Sequence, residues 1–356
     1  MGITSPFLGI LLGAIPGVHQ NLISLLPLTS LDLFITVLAS IFSSVIPALL
    51  MAPAPEMVAI LLPGQDLVRK GKIGRAVSEF LGGALLGTAL FIILLPLYPY
   101  LTIIPQLFSR IFWLPLIGFA LVPIVRSKRQ WKWSLAFFLI SGVYGWAILQ
   151  LPYRTEAILM AHFGGMFGLS GLLIAGKMVK QKIKPPRVAF NFASSIIGTL
   201  GGLLISLFPA LTPAQASAFV FALSGKPESQ IASAGALSTS AFLFCFLSLR
   251  FLGKPRSAAV QRIGDLHLNS ILLVAALSYL VVMLLVPTIC KLLSKWDLRK
   301  LLAIFLIGMI GVVSGSAGWI ALPSLGLGYW CKKKGVPTVN LMGSLMFPTI
   351  LWYLMH

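Results

Sequence analysis

The chain has 356 residues, 58% of them hydrophobic and only 10% charged, with 27 basic residues against 8 acidic ones. Soluble domains carry about 25% charged and about 45–50% apolar residues, and a mean hydropathy of +0.97 lies far outside that range. A soluble enzyme domain is excluded, and at about 20 residues per span roughly ten membrane segments fit.

In chain order the apolar segments fall at 7–28, 31–50, 51–63, 76–97, 111–125, 133–151, 157–176, 188–208, 212–224, 229–249, 266–290, 301–330 and 336–355. Several are too short, or too interrupted by Pro and Gly, to cross as one straight helix. The first contains Gly9, Gly13, Pro16 and Gly17, and the third carries Pro53, Pro55 and Pro63. Proline removes a backbone donor and clashes with the preceding turn. Broken backbone at membrane depth survives only where protein or a wet cavity covers it, so these pieces read as re-entrant or discontinuous helices.

Nearly all basic residues fall in six short clusters: Arg69–Arg75, Arg126–Lys132, Lys177–Arg187, Arg250–Arg262, Lys291–Lys300 and Lys332–Lys334. Lys and Arg concentrated in loops between apolar runs mark cytoplasmic loops and contacts with membrane lipids, not nucleic-acid binding. If 250–262 is cytoplasmic and 266–290 crosses once, 291–300 falls outside, so the side of that loop stays open. The N-terminus has no basic stretch ahead of a short apolar core and no small-residue cleavage site, which reads as mature chain. Cys245, Cys290 and Cys331 and the four histidines (His19, His162, His267, His356) show no metal or disulfide spacing. No catalytic or nucleotide-binding motif occurs, so no enzyme and no cofactor is expected.

An internal repeat runs through the chain. Gly9, Leu12 and Pro16 match Gly202, Ile205 and Pro209, and Gly71-Lys72 matches Gly253-Lys254. Ser141-Gly142 and Gly145-Trp146 match Ser314-Gly315 and Gly318-Trp319 in the same order. The halves are 1–187 and 188–356. Two halves that each open on a broken segment suggest a secondary transporter, with substrate held near the midplane between the breaks. Helix N-termini there offer free N–H groups and partial positive charge to an anion.

Several stretches carry a resemblance: LLGAIPGVHQNLISLLPL, LLPGQDLVRKGKIGRAVSEFLGGALLG, FPALTPAQASAFVFALSGKPESQIAS and LGYWCKKKGVPTVNLMGSLMFPTIL. Together they resemble the TctA-type membrane subunit, the permease, of tripartite tricarboxylate transporters, and especially its shorter archaeal relatives. The resemblance implies a multi-pass protein of a prokaryotic cytoplasmic membrane that takes up carboxylates on an ion gradient. It also implies a small membrane subunit and an extracytoplasmic binding protein as partners.

The candidate substrate-binding residues are Gly13, Pro16, Gly17, His19, Gln20 and Asn21 in the first half and Pro209, Thr212, Pro213, Gln215 and Lys226 in the second. The alternative for the first group is a kinked span with a polar cap. Glu56, inside an apolar run, is the candidate coupling residue for H⁺ or Na⁺, or else an interfacial acid just after Pro55. Glu79 reads as an i,i+4 partner of Arg75, and His162 as hydrogen-bonded packing. The reading is therefore an all-α polytopic membrane protein of two related halves that transports an organic anion, with homodimer formation left open. The alternatives are a translocase for a polyprenyl-phosphate lipid carrier and a non-transporting membrane scaffold.

Overall fold

The computed structural model describes residues 4–15, 18, 20–49, 61–108, 111–174, 189–209, 211–295 and 299–355. Among these every regular element is helical. The main helices of the first half are α1 (Thr4–Gly13), α2 (Gln20–Ile23), α3 (Ser30–Leu49), α4 (Leu61–Arg69), α5 (Ile73–Leu94), α6 (Trp113–Arg126), α7 (Trp131–Leu149) and α8 (Thr155–Ile174), with short helices at Tyr98–Leu101 and Ile103–Phe108 between α5 and α6. Those of the second are α9 (Phe192–Leu207), α10 (Pro213–Ser224), α11 (Pro227–Leu252), α12 (Ala258–Ile263), α13 (Leu268–Lys295), α14 (Arg299–Ser314), α15 (Ala321–Lys333) and α16 (Gly343–Met355). Among the described residues eight helical stretches are long and apolar enough to cross a membrane, and α1, α6 and α9 are shorter apolar helices. This is the polytopic all-α architecture that the composition requires. The expected segment 301–330 contains a break, a 3-10 turn over Gly315–Ile320 where Gly315 has φ +50.

The helices pack as two bundles. In the first, α5 and α9 lie along α11, α1 lies along α3, and α13 closes on α3 and α5. In the second, α7 packs on α16 and α6, while α8 packs on α14 and α15. Each bundle takes helices from both halves of the chain. Helix α11 is the axis of the first bundle, and its most apolar 18-residue window is wholly buried. Its run of Ala, Ser and Gly makes that position tenable. Water-driven burial is weak between helices in lipid, so close backbone approach at small residues does the packing. Gly83 of α5 faces the backbone of Ala232, and Gly235 of α11 faces the backbone of Phe80, so a Cβ at either glycine would strike main-chain atoms.

The helices that flank the two breaks pack alike. Gly9 and Gly13 of α1 sit against Thr36 and Ser40 of α3, and Gly198 and Gly202 of α9 sit against Ser233 and Ser240 of α11. In both pairs the contacts advance in the same chain direction, so the helices are parallel and the chain doubles back between them. In the second half α10 makes that return: twelve residues span about 18 Å. Its start is set by Thr212 at the N-cap, Pro213 at the first helical position and Gln215 three residues on, a capping box. Helix α11 ends at Gly253, with φ +64 and its N–H bonded to Leu249 O at 3.1 Å, a left-handed cap that only glycine adopts at no steric cost. That turn sends residues 254–257 back along the bundle.

Candidate functional site

A cavity of about 450 Å³ lies between the bundles. The first bundle supplies Ile205, Phe208, Phe242 and Cys245, and the second supplies Leu159, Phe163, Val313 and Met342. Its polar rim comes from the starts of four helices: Gln20 and Asn21 of α2, Thr155 and Glu156 of α8, Thr212 ahead of α10, and Arg256 and Ser257 ahead of α12. Helices α8 and α10 are long enough for their N-termini to carry appreciable partial positive charge.

Arg256 is the one cation in this wall among the described residues. It is half-buried. Its Nε donates to Ser206 O and an Nη donates to Leu207 O, each at 3.2 Å. These are carbonyls of the last turn of α9, which have no partner within their own helix. A guanidinium has five N–H donors and is not deprotonated in proteins. Two donors are used here, and the other three have no acceptor among the described residues. Burial pulls its pKa below the ordinary value, the direction expected of a cation that has given up solvation.

Asn21 joins the broken segment of the first half to the loop that holds Arg256. Its Oδ1 accepts from Ser257 Oγ at 2.8 Å and from the N–H of Ala259 at 3.3 Å. The amide of Gln20 lines the cavity and makes no hydrogen bond with any described residue. Glu156 pairs with Arg154 at 3.7 Å on the exposed rim.

The residues expected to bind substrate are thus placed differently from one another. Gln20, Asn21, Thr212 and Pro213 meet at the cavity. Gln215 is 2% exposed and engaged in structure: its Oε1 accepts from the N–H of Thr212 at 2.9 Å and from the Thr212 hydroxyl, and its Nε2 faces Met342 O at 3.4 Å. Gly13 is a packing residue against Ser40 and Ser43, and Pro209 is buried beside the cavity-lining Phe208. Lys226 is exposed at the far end of α10, about 18 Å from the cavity rim by helix length. Pro16, Gly17, His19 and Glu56 lie outside the described residues. Arg75 pairs with Glu79 at 3.8 Å, as its i,i+4 spacing suggests, and with Glu228 at 3.7 Å. Arg256, Thr155 and the wall from the second bundle are cavity residues that the sequence did not single out.

A multi-pass helical protein with an anion-compatible cavity between two bundles has the build of a membrane transport protein. The family model of the tripartite tricarboxylate transporter TctA family matches residues 2–343, and the chain belongs to that family. It is therefore a transporter subunit and not an enzyme, a multi-pass protein of a prokaryotic cytoplasmic membrane. It is 27% identical to the uncharacterized protein MJ1079 of Methanocaldococcus jannaschii, over 97% of this chain and 96% of that one. No solved structure matches the chain.

Proposed function

We propose that the chain is the permease through which an organic carboxylate crosses the membrane, held in the cavity between the bundles and driven by a gradient of H⁺ or Na⁺. The observation that carries this reading is Arg256, a half-buried cation with unused donors in a wall otherwise built from helix starts and apolar side chains. Charge-assisted hydrogen bonds from a guanidinium match a carboxylate in geometry and strength. The volume falls within the range of about 300–1,000 Å³ typical of small-ligand sites. Among the described residues Arg256 and Glu156 are the only charged side chains in the wall. A compact trianion would leave most of its charge uncompensated, so the site favours a carboxylate with an apolar body that rests on Phe163, Phe208 and Phe242. A position between two bundles suits alternating access by rocking one bundle against the other. As a member of a tripartite family, the permease would work with a small membrane subunit and an extracytoplasmic binding protein.

Binding to the purified full-length protein tests this, with phenylacetate, adipate and citrate as probes. Phenylacetate or adipate should bind at least about tenfold tighter than citrate. Tighter binding of citrate would refute the apolar-body preference, and binding of none of the three would refute the carboxylate reading.

A further inference from the structure

Three helices of the second bundle enclose a polar cluster that the anion site does not use. His162, on α8, is 1% exposed. Its Nδ1 lies 2.9 Å from Ser324 Oγ on α15. Ser324 donates to Ile320 O at 2.7 Å, and Tyr144 of α7 donates to the same carbonyl at 3.1 Å. A hydroxyl has one proton to give. Ile320 O is the nearer acceptor for that of Ser324; with the proton placed there, the Ser324 oxygen accepts from His162 and the ring proton is assigned to Nδ1. Nε2 is then a bare lone pair, buried and without a partner among the described residues. Buried polar atoms left unpaired are rare in native proteins and ask for an explanation.

The surroundings supply a second observation. Leu159 and Phe163, on the same helix, line the cavity. Directly after Phe163 the helix opens into a π-helical turn, Gly164–Leu169, and Gly164 and Gly168 line the cavity too. Such turns inside α-helices concentrate at functional sites. The hydroxyl of Ser170 takes Met166 O, and Lys332 Nζ donates to Phe167 O at 3.1 Å and contacts Ser170 Oγ at 2.7 Å.

We infer that His162 is a proton-binding site of the transport cycle: Nε2 takes up a proton when an anion occupies the cavity and releases it after the anion leaves. The inference rests on the carboxylate reading of that cavity. Uptake forms the Nε2–H bond as an O–H bond of a hydronium ion breaks and leaves water, and release reverses both changes. The imidazolium's positive charge offsets that of one carboxylate group, so a monocarboxylate crosses the apolar layer with no extra net charge and a dicarboxylate with one charge fewer to compensate, where an uncompensated charge is costly. Tyr144 of α7 and Ser324 of α15 are the polar side chains at the ring. The Phe163 ring lies beside it, tilted by 42° with centroids 5.0 Å apart, and α14 and the turn Gly315–Ile320 add the apolar Leu306, Ile310 and Ala317 to the same core. The charged groups of the packed helices lie further along them: Glu156 six residues before His162, Lys132 twelve residues before Tyr144 on α7, Arg299 and Lys300 at the start of α14, and Lys332 and Lys333 eight and nine residues beyond Ser324.

Calorimetry of adipate binding to the full-length protein, in buffers of different ionisation enthalpy, counts protons taken up per anion. The wild type should take up about one. His162→Gln should bind adipate with the uptake lost, whereas Glu56→Gln should keep it. Ser324→Ala spares the ring but removes its partner, so it should keep the uptake and move its pH dependence. No uptake in the wild type, or equal uptake in His162→Gln, overturns the inference and leaves the carboxylate reading standing. If none of the three carboxylates binds, that reading fails by itself. ¹⁵N-histidine NMR reads the ring directly, with the His162 resonance identified by its loss in His162→Gln. A ring that is neutral without adipate and protonated with it at about pH 7 supports the inference, and a ring in the same state with and without adipate overturns it.

Discussion

Arg256 does two jobs at once: it closes the open carbonyls of α9 and presents its remaining donors to the cavity. Hydrogen bonds to charged groups are worth about 1.5–3 kcal/mol each. Arg256→Gln should therefore weaken adipate binding by about 10- to 150-fold, read by calorimetry on protein that still elutes as a folded species. Arg256→Lys should recover only part of the loss, because a lysine cannot reproduce the planar fork. The importance of this residue was not legible from sequence. It lies in a basic cluster, and counting charge for topology treats every Arg and Lys alike. Gln215 is the reverse case. Its spacing, Thr-x-x-Gln before an apolar run, spells a capping box, and its amide is spent on that cap.

Within single helices the small residues divide sharply by environment. Gly83 of α5 meets main-chain atoms of α11, while Gly118 of α6 has open space where its Cβ would go. Gly83→Ala should destabilise by about 1–3 kcal/mol through overpacking, and thermal unfolding in detergent should register a lower Tm. Gly118→Ala should leave Tm unchanged or raise it, since Gly inside a helix costs about 0.5–1 kcal/mol relative to Ala. Equal effects at the two positions would mean that α5 and α11 are not in backbone contact. Most of these helices were readable from apolar runs punctuated by Pro, Gly and basic clusters. The π-helical turn at Gly164–Leu169 was not, because extra backbone per turn leaves no signature in residue type.

At the scale of the whole molecule, the polar parts of both broken segments were visible as Gln20, Asn21, Thr212 and Pro213, and they do converge. The opposite wall was not visible. Met160, Phe163, Val313 and Met342 come from other helices, carry no polar signal, and reach the cavity only because each bundle draws on both halves. That arrangement yields the central claim, that the carboxylate binds between the bundles. It can be tested with single cysteines at Met160 on one wall and Ala258 on the other, after replacement of Cys245, Cys290 and Cys331. Ser127, in the connection between α6 and α7, serves as the control outside the cavity. Adipate at saturating concentration should slow maleimide labelling of Met160→Cys and Ala258→Cys together and leave Ser127→Cys unchanged. Labelling of both cavity positions at the same rate with adipate bound would contradict the account and place the anion elsewhere in the protein.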